Sequence, residues 1–169
     1  TNGRKRKTQV EWARGPWLEG RPRSYHEVMD ALTFLREQAP LFAGVTEENL
    51  AVLAESSALL RFSAGQTILF KGATVDGLHV VISGRADVYV KATNKTMARV
   101  AELGPGEVFG EVSIVERGTA GAAIKAAEDG TLVLMIPQES FRHILQQDEG
   151  FAVRVNTLMA SRKSVPVSA

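Results

Sequence analysis

Between residues 58 and 137 the apolar residues come in segments of four to six: ALLRF, TILF, LHVVI, ADVYV, ARVAEL, AAIKA and TLVLMI. Segments this short, rich in β-branched residues and cut off by turn residues, read as strands and leave no room for a helical bundle over this span. The cuts fall at Ala64-Gly65, Lys71-Gly72, Ser83-Gly84-Arg85, Gly104-Pro105-Gly106 and Asp129-Gly130. Glycine and aspartate are residues that tight turns favour. Seven or eight strands at this spacing predict a sandwich or roll.

The flanks carry a different period. Ser24 and Glu27 have the spacing of a capping box, and Tyr25, Val28, Met29, Leu32 and Leu35 then recur at helical intervals, which predicts a helix over 25–38 ended by Pro40. Thr46 is the next cap, ahead of Leu50 and Leu53, for a second helix to about residue 56. After Pro137, Phe141, Ile144 and Leu145 share one helical face. A last helix is expected from Phe151 to about Arg162. The fold class is therefore mainly β with flanking helices. Its parts are a basic arm or linker at 1–23, an N-terminal helical segment at 24–57, a β-roll at 58–136, C-terminal helices at 137–163 and a tail at 164–169.

Charge is spread unevenly along the 169 residues, whose formal net charge is +1. Residues 1–23 hold seven basic side chains against Glu11 and Glu19, a net of +5, which leaves −4 for the remainder. That balance argues against a protein-wide field for nucleic acid. Arg4, Lys5, Arg6 and Lys7 form a short basic run that suits a solvated tail first and an anionic membrane surface second, while Trp12 and Trp17 would dock the arm. There is no cysteine, so disulfides and cysteine zinc sites are excluded and a cytoplasmic setting is the default. No apolar run reaches the roughly 20 residues of a membrane-spanning helix.

One stretch carries chemistry. F-G-E-V-S-I-V-E-R-G-T-A-G-A-A-I, residues 109–124, follows L-G-P-G-E-V at 103–108, V-I-S-G-R-A-D-V-Y-V at 81–90 and F-S-A-G-Q-T-I-L-F-K-G at 62–72. This ordered track of glycines and apolar runs resembles the cyclic-nucleotide-binding domain family: the β-roll of catabolite activator proteins, protein kinase A regulatory subunits and cyclic-nucleotide-regulated channels. The likeness covers about residues 40–148 and implies a jelly-roll-like double-stranded barrel. In the family, a cassette of the form F-G-E-x-A-L-L-x-x-x-P-R-x-A-T-V grips a cyclic phosphate. Laid on this chain without gaps, Phe109, Gly110 and Glu111 match its opening, and Ser113, Ile114 and Val115 take its small and apolar places. Gly110 leaves room for a close backbone approach, and a short helix from about Glu111 would aim free N–H groups at a phosphate. The resemblance assigns a ribose hydroxyl to Glu111.

The cassette departs from the family where the phosphate is neutralised. The family arginine falls on Ala120 and its preceding proline on Thr119; a shift of one residue puts Gly121 in the arginine's place instead. A charge-assisted hydrogen bond contributes about 1.5–3 kcal/mol, so its loss weakens phosphate binding about ten- to a few-hundred-fold. Arg117, three residues earlier, and Lys125, on the next strand, are the nearby cations; a long side chain in a loop is ordinarily solvated. If the pocket works, its residues are Phe109, Gly110, Glu111, Val112, Ser113, Arg117, Gly121 and Ala122.

Other chemistries find little support. Gly104, Gly106 and Gly110 are spaced one residue too widely for the dinucleotide fingerprint, and there is no P-loop. His26, His79 and His143 lack metal-ligand spacing, and no nucleophile motif is present, so no metal, no cofactor and no enzymatic activity are expected. S-V-P-V-S-A, the residues after Lys163, hold no helix-turn-helix, so no nucleic-acid contact is assigned. Two readings stand. One is a regulatory domain of a larger protein, of which the cytosolic part of a membrane transport protein is one form, with no or weak cyclic-nucleotide binding and action through its helices. The other is a working sensor of cAMP, cGMP or another anion through Gly110, Glu111 and Ser113.

Overall fold

The computed structural model describes residues 24–163; the basic arm, Trp12, Trp17 and the tail lie outside the described residues. The chain opens with α1 (Tyr25–Gln38), a 3₁₀ turn (Pro40–Phe42) and α2 (Glu47–Ser56). The expected caps are in place. Ser24 and Glu27 exchange side-chain-to-backbone hydrogen bonds, and the Thr46 hydroxyl accepts from Asn49 N, so orphan N–H groups at both helix starts are satisfied.

The strands follow as β1 (Ala58–Phe62), β2 (Thr67–Leu69), β3 (Gly77–Ser83), β4 (Ala86–Lys91), β5 (Met97–Leu103) and β6 (Val108–Phe109). After the short α3 (Glu111–Val115) come β7 (Ala123–Ala126), β8 (Thr131–Pro137), α4 (Gln138–Gln147) and α5 (Glu149–Lys163). The strands form two four-stranded sheets, ordered β1-β8-β3-β6 and β2-β7-β4-β5, and each neighbouring pair in them is antiparallel. The fold is thus the roll expected, built as two sheets.

The first sheet is covered on its outer side as well. Six consecutive β3 residues, Gly77–Ile82, are buried, whereas an exposed sheet face would bury every second residue. One face meets the roll interior and the other meets α4, which also packs on β8. Phe42 of the 3₁₀ turn stacks on Phe151 of α5 at 5.4 Å, and Phe141 of α4 meets Phe151 edge-on at 5.8 Å. Three buried rings thus join the helices on both sides of the roll into one core.

The last helix begins two residues before the expected Phe151. Asp148 explains the difference: its carboxylate accepts from Phe151 N at 2.9 Å, so the cap lies ahead of Gly150 and the helix runs through it. β6 and the 3₁₀ turn, two and three residues long, have no period of their own to read.

Candidate functional site

The cassette is held against the first sheet by β6, which pairs with β3 through His79–Phe109 and Val80–Val108. Upstream, the G-P-G turn comes so close to the end of α1 that a side chain on Gly106 would meet Gln38 O at 2.0 Å. The chain then leaves β6 through Gly110, whose φ of 96° is strained for any other residue, and a Cβ there would stand 3.1 Å from Gly77 O and from Val75. That sharp exit starts α3, as the sequence predicts.

Of the expected site residues, Phe109 is committed to packing. It is 2% exposed, and its ring stacks on His79 at 4.8 Å. Burial holds the His79 imidazole down at about 4, the neutral form being the one the packed interior accepts. Val112 is half-buried, and the Ser113 hydroxyl donates to Thr119 O at 3.2 Å, closing the loop after α3.

Glu111 is the centre of the site. Its side chain is fully buried, and Arg162 Nη1, from the last turn of α5, donates to Glu111 Oε1 at 2.5 Å. Arg162 Nη2 donates to Val108 O, so one guanidinium fork holds both ends of the β6–α3 corner. Glu111 Oε2 has no partner among the described residues. Burial pushes the Glu111 carboxyl above the usual carboxylate range, and Arg162 acts in the opposite direction. Lys163 makes a second, exposed bond to Glu116, and Arg154 Nε donates to Leu41 O at 2.9 Å from the same helix. The helix that leaves the roll is therefore tied to the cassette and to the segment before the roll.

The phosphate end of the cassette looks different. Ala120 is 4% exposed; its N–H donates to Ala73 O at 2.9 Å, and its carbonyl accepts from Gly72 N at 2.7 Å. Gly121 is exposed, with nothing within 4 Å of where a Cβ would be, and Ala122 is half-buried. Arg117 is exposed and adopts φ 55°. It lines an open cleft with Arg142 of α4, and Ala120 is not among the residues lining that cleft. Lys125 is exposed, its ammonium 5.4 Å from the Tyr89 ring centroid. Ala120 and Gly121 thus offer no charge, while Arg117 lines the cleft with Arg142 and Lys125 lies over the Tyr89 ring.

Arg162 and Arg142 were beyond sequence reasoning. Each acts on a residue far away in the chain: Arg162 on Glu111, and Arg142 on Ile114, whose carbonyl accepts from its Nη2 at 2.9 Å. The faint signal for Arg162 was a basic pair ending a helix, opposite an acidic cassette.

Among the described residues no three potential ligand side chains gather as a metal cluster, and no helix is long and apolar enough to cross a membrane.

The lysophospholipase nte1 of Neosartorya fischeri is 29% identical over 103 residues, which is 61% of this chain but 7% of that protein. The catabolite activator protein of Thermus thermophilus superposes with a TM-score of 0.65 at 27% identity, covering 73% of this chain and 58% of that one. A regulatory subunit of a cAMP-independent protein kinase A from Trypanosoma brucei superposes with a TM-score of 0.70 at 18% identity, covering 84% and 49%. The chain thus spans only a small part of the fungal relatives it matches. The chain folds into two four-stranded sheets with a glycine-started cassette helix and flanking helices, and because the model of the cyclic nucleotide-binding domain matches residues 59–148, more than half of the sequence, this chain belongs to that family.

Proposed function

We propose that this domain is a regulatory module of a larger protein that binds cyclic nucleotides weakly or not at all and acts through its helices, α5 above all. The observation that carries this reading is the Glu111–Arg162 bond: the one carboxylate that could receive a ribose is fully buried and already held by the exit helix. Ala120 supports it, since a methyl group stands where a phosphate would need a cation. The Trypanosoma relative is described as cAMP-independent, and a triple variant of it that includes an introduced arginine is described as bound to cAMP, which makes the same economy of change reasonable here. The fungal relatives are lysophospholipases in which such a module is a small part; a membrane-transport parent rests on architecture alone. The alternative sensor reading keeps Gly110, Glu111 and Ser113 as its residues, and the Arg4–Lys7 contact with an anionic membrane remains a proposal about residues outside the described ones.

Isothermal titration with cAMP and then cGMP to millimolar concentration tests the reading. The wild-type chain is expected to give no saturable heat. Ala120→Arg, which returns one charge-assisted hydrogen bond, is expected to raise affinity by about tenfold or more. Saturable wild-type binding in the micromolar range would establish the sensor reading instead.

A further inference from the structure

A second cleft lies at the other end of α3. It is open, of about 410 Å³, and is lined by Thr74 and Val75, by Ser113, Arg117 and Gly118 at the end of α3, and by Gln138, Glu139 and Arg142 at the start of α4. Two guanidinium groups face one carboxylate there, so the cleft has an excess of positive charge. Among the described residues neither Arg117 nor Arg142 makes an ion pair. Arg142 Nη2 is placed by its bond to Ile114 O, and its buried Nε has no partner among the described residues. The first turn of α4, which forms one wall, has no side-chain cap.

The backbone adds an independent observation. Gly118 N donates to Ser113 O at 2.9 Å and Arg117 N to Ile114 O at 3.4 Å, the paired bonds of a Schellman helix end. The residue that must be left-handed in that motif is ordinarily glycine, yet here it is Arg117, at φ 55°, with glycine one position later. A non-glycine residue held in this conformation is a cost, and such costs gather where the side chain has a task.

The geometry points to this cleft as a binding site for a phosphate-group anion, held by Arg117 and Arg142 between the end of the cassette helix and the start of α4. Ala120, where a cyclic phosphate would be expected, does not line this cleft, and the site does not depend on whether cyclic nucleotides bind. Guanidinium forks match phosphate oxygens in pairs, and the Thr74 hydroxyl on the rim is a further donor. Glu139 sets a preference for a small anion that leaves it in water. A ligand here would clamp α3 to α4, and so bear on the corner that Arg162 grips from α5.

The test is a titration of the full chain with inorganic phosphate to millimolar concentration, followed by backbone amide NMR shifts. Shifts at Thr74, Gly118 and Glu139 are expected, with Gly110 and Glu111 still. Arg117→Gly is the informative variant. It removes the charge while giving the left-handed position its preferred residue, so the protein should fold at least as stably and bind phosphate about tenfold or more weakly. A second arm with phosphatidic acid vesicles identifies the source: capture that Arg117→Gly weakens means a lipid headgroup can supply the phosphate. Absence of phosphate shifts together with vesicle capture indifferent to Arg117→Gly would overturn the site, as would phosphate affinity unchanged in that variant or shifts confined to Gly110 and Glu111.

Discussion

At the scale of single residues, His79 is the clearest acid-sensitive point. It is 7% exposed, stacked on Phe109, and its Nδ1 has no partner among the described residues. Its value falls from 6.5 in the unfolded chain to about 4 in the fold because burial disfavours the cation. The unfolded state therefore takes up the proton first as pH drops. The stability this neutral imidazole contributes is complete above 6.5 and is lost between 6.5 and about 4, a loss of about 3 kcal/mol across the window. Urea denaturation at stepped pH should show that fall in the wild type and a much smaller one in His79→Phe, which keeps a ring against Phe109. Equal slopes in the two proteins would mean that other groups carry the acid response.

At the scale of elements, α5 has two ties at its last turn that differ in worth. Arg162 meets a carboxylate with no exposure, whereas Lys163 and Glu116 are about half exposed, at 54% and 47%. Removing Arg162 leaves Glu111 buried and unpaired, which costs about 2 kcal/mol once the partial exposure of Arg162 is allowed for; removing Lys163 costs less than about 1 kcal/mol. Chemical denaturation of Arg162→Ala and Lys163→Ala should separate them in that order, and adding Glu111→Gln to Arg162→Ala should recover part of the loss. Additive effects of the two changes would show that the pair is not coupled. This contrast also marks how far the sequence could be read. Gly110 and Glu111 were legible because a glycine, an acid and a following short apolar run sit next to one another, and Ser24 with Glu27 likewise declared α1 locally. The bond that gives Glu111 its role joins residues 51 apart, and it takes the packing of α5, with Phe151 against Phe42 and Phe141, to bring Arg162 to it. Nor could strand alternation set the direction of Lys125, which lies over Tyr89 of the neighbouring strand, or place Arg117 in a cleft with Arg142, which depends on how α4 lies against the roll.

At the scale of the whole molecule, the described residues form one connected mechanical path. The β6–α3 corner is gripped by Arg162, α5 is locked to the segment before the roll by Arg154 and Phe151, and α4 lies between α5 and the first sheet. An effector at the cassette can move α5 only by as much as its affinity differs between the arrangement with Arg162 on Glu111 and one with Glu111 released. A ribose that takes Glu111 competes with Arg162 for the same carboxylate, so ligand binding and release of α5 are linked, and a nucleotide that does not bind shifts nothing. Hydrogen exchange reads this directly. Millimolar cAMP should leave the protection of residues 149–163 unchanged in the wild-type chain, while in Ala120→Arg it should speed exchange in the last turns of α5 and slow it at 110–115. Arg162→Ala alone should speed the same turns without nucleotide, because Glu111 no longer holds them. If cAMP protected 110–115 in Ala120→Arg and left α5 untouched, the cassette and the exit helix would be separate, and the path through Glu111 and Arg162 would carry no signal.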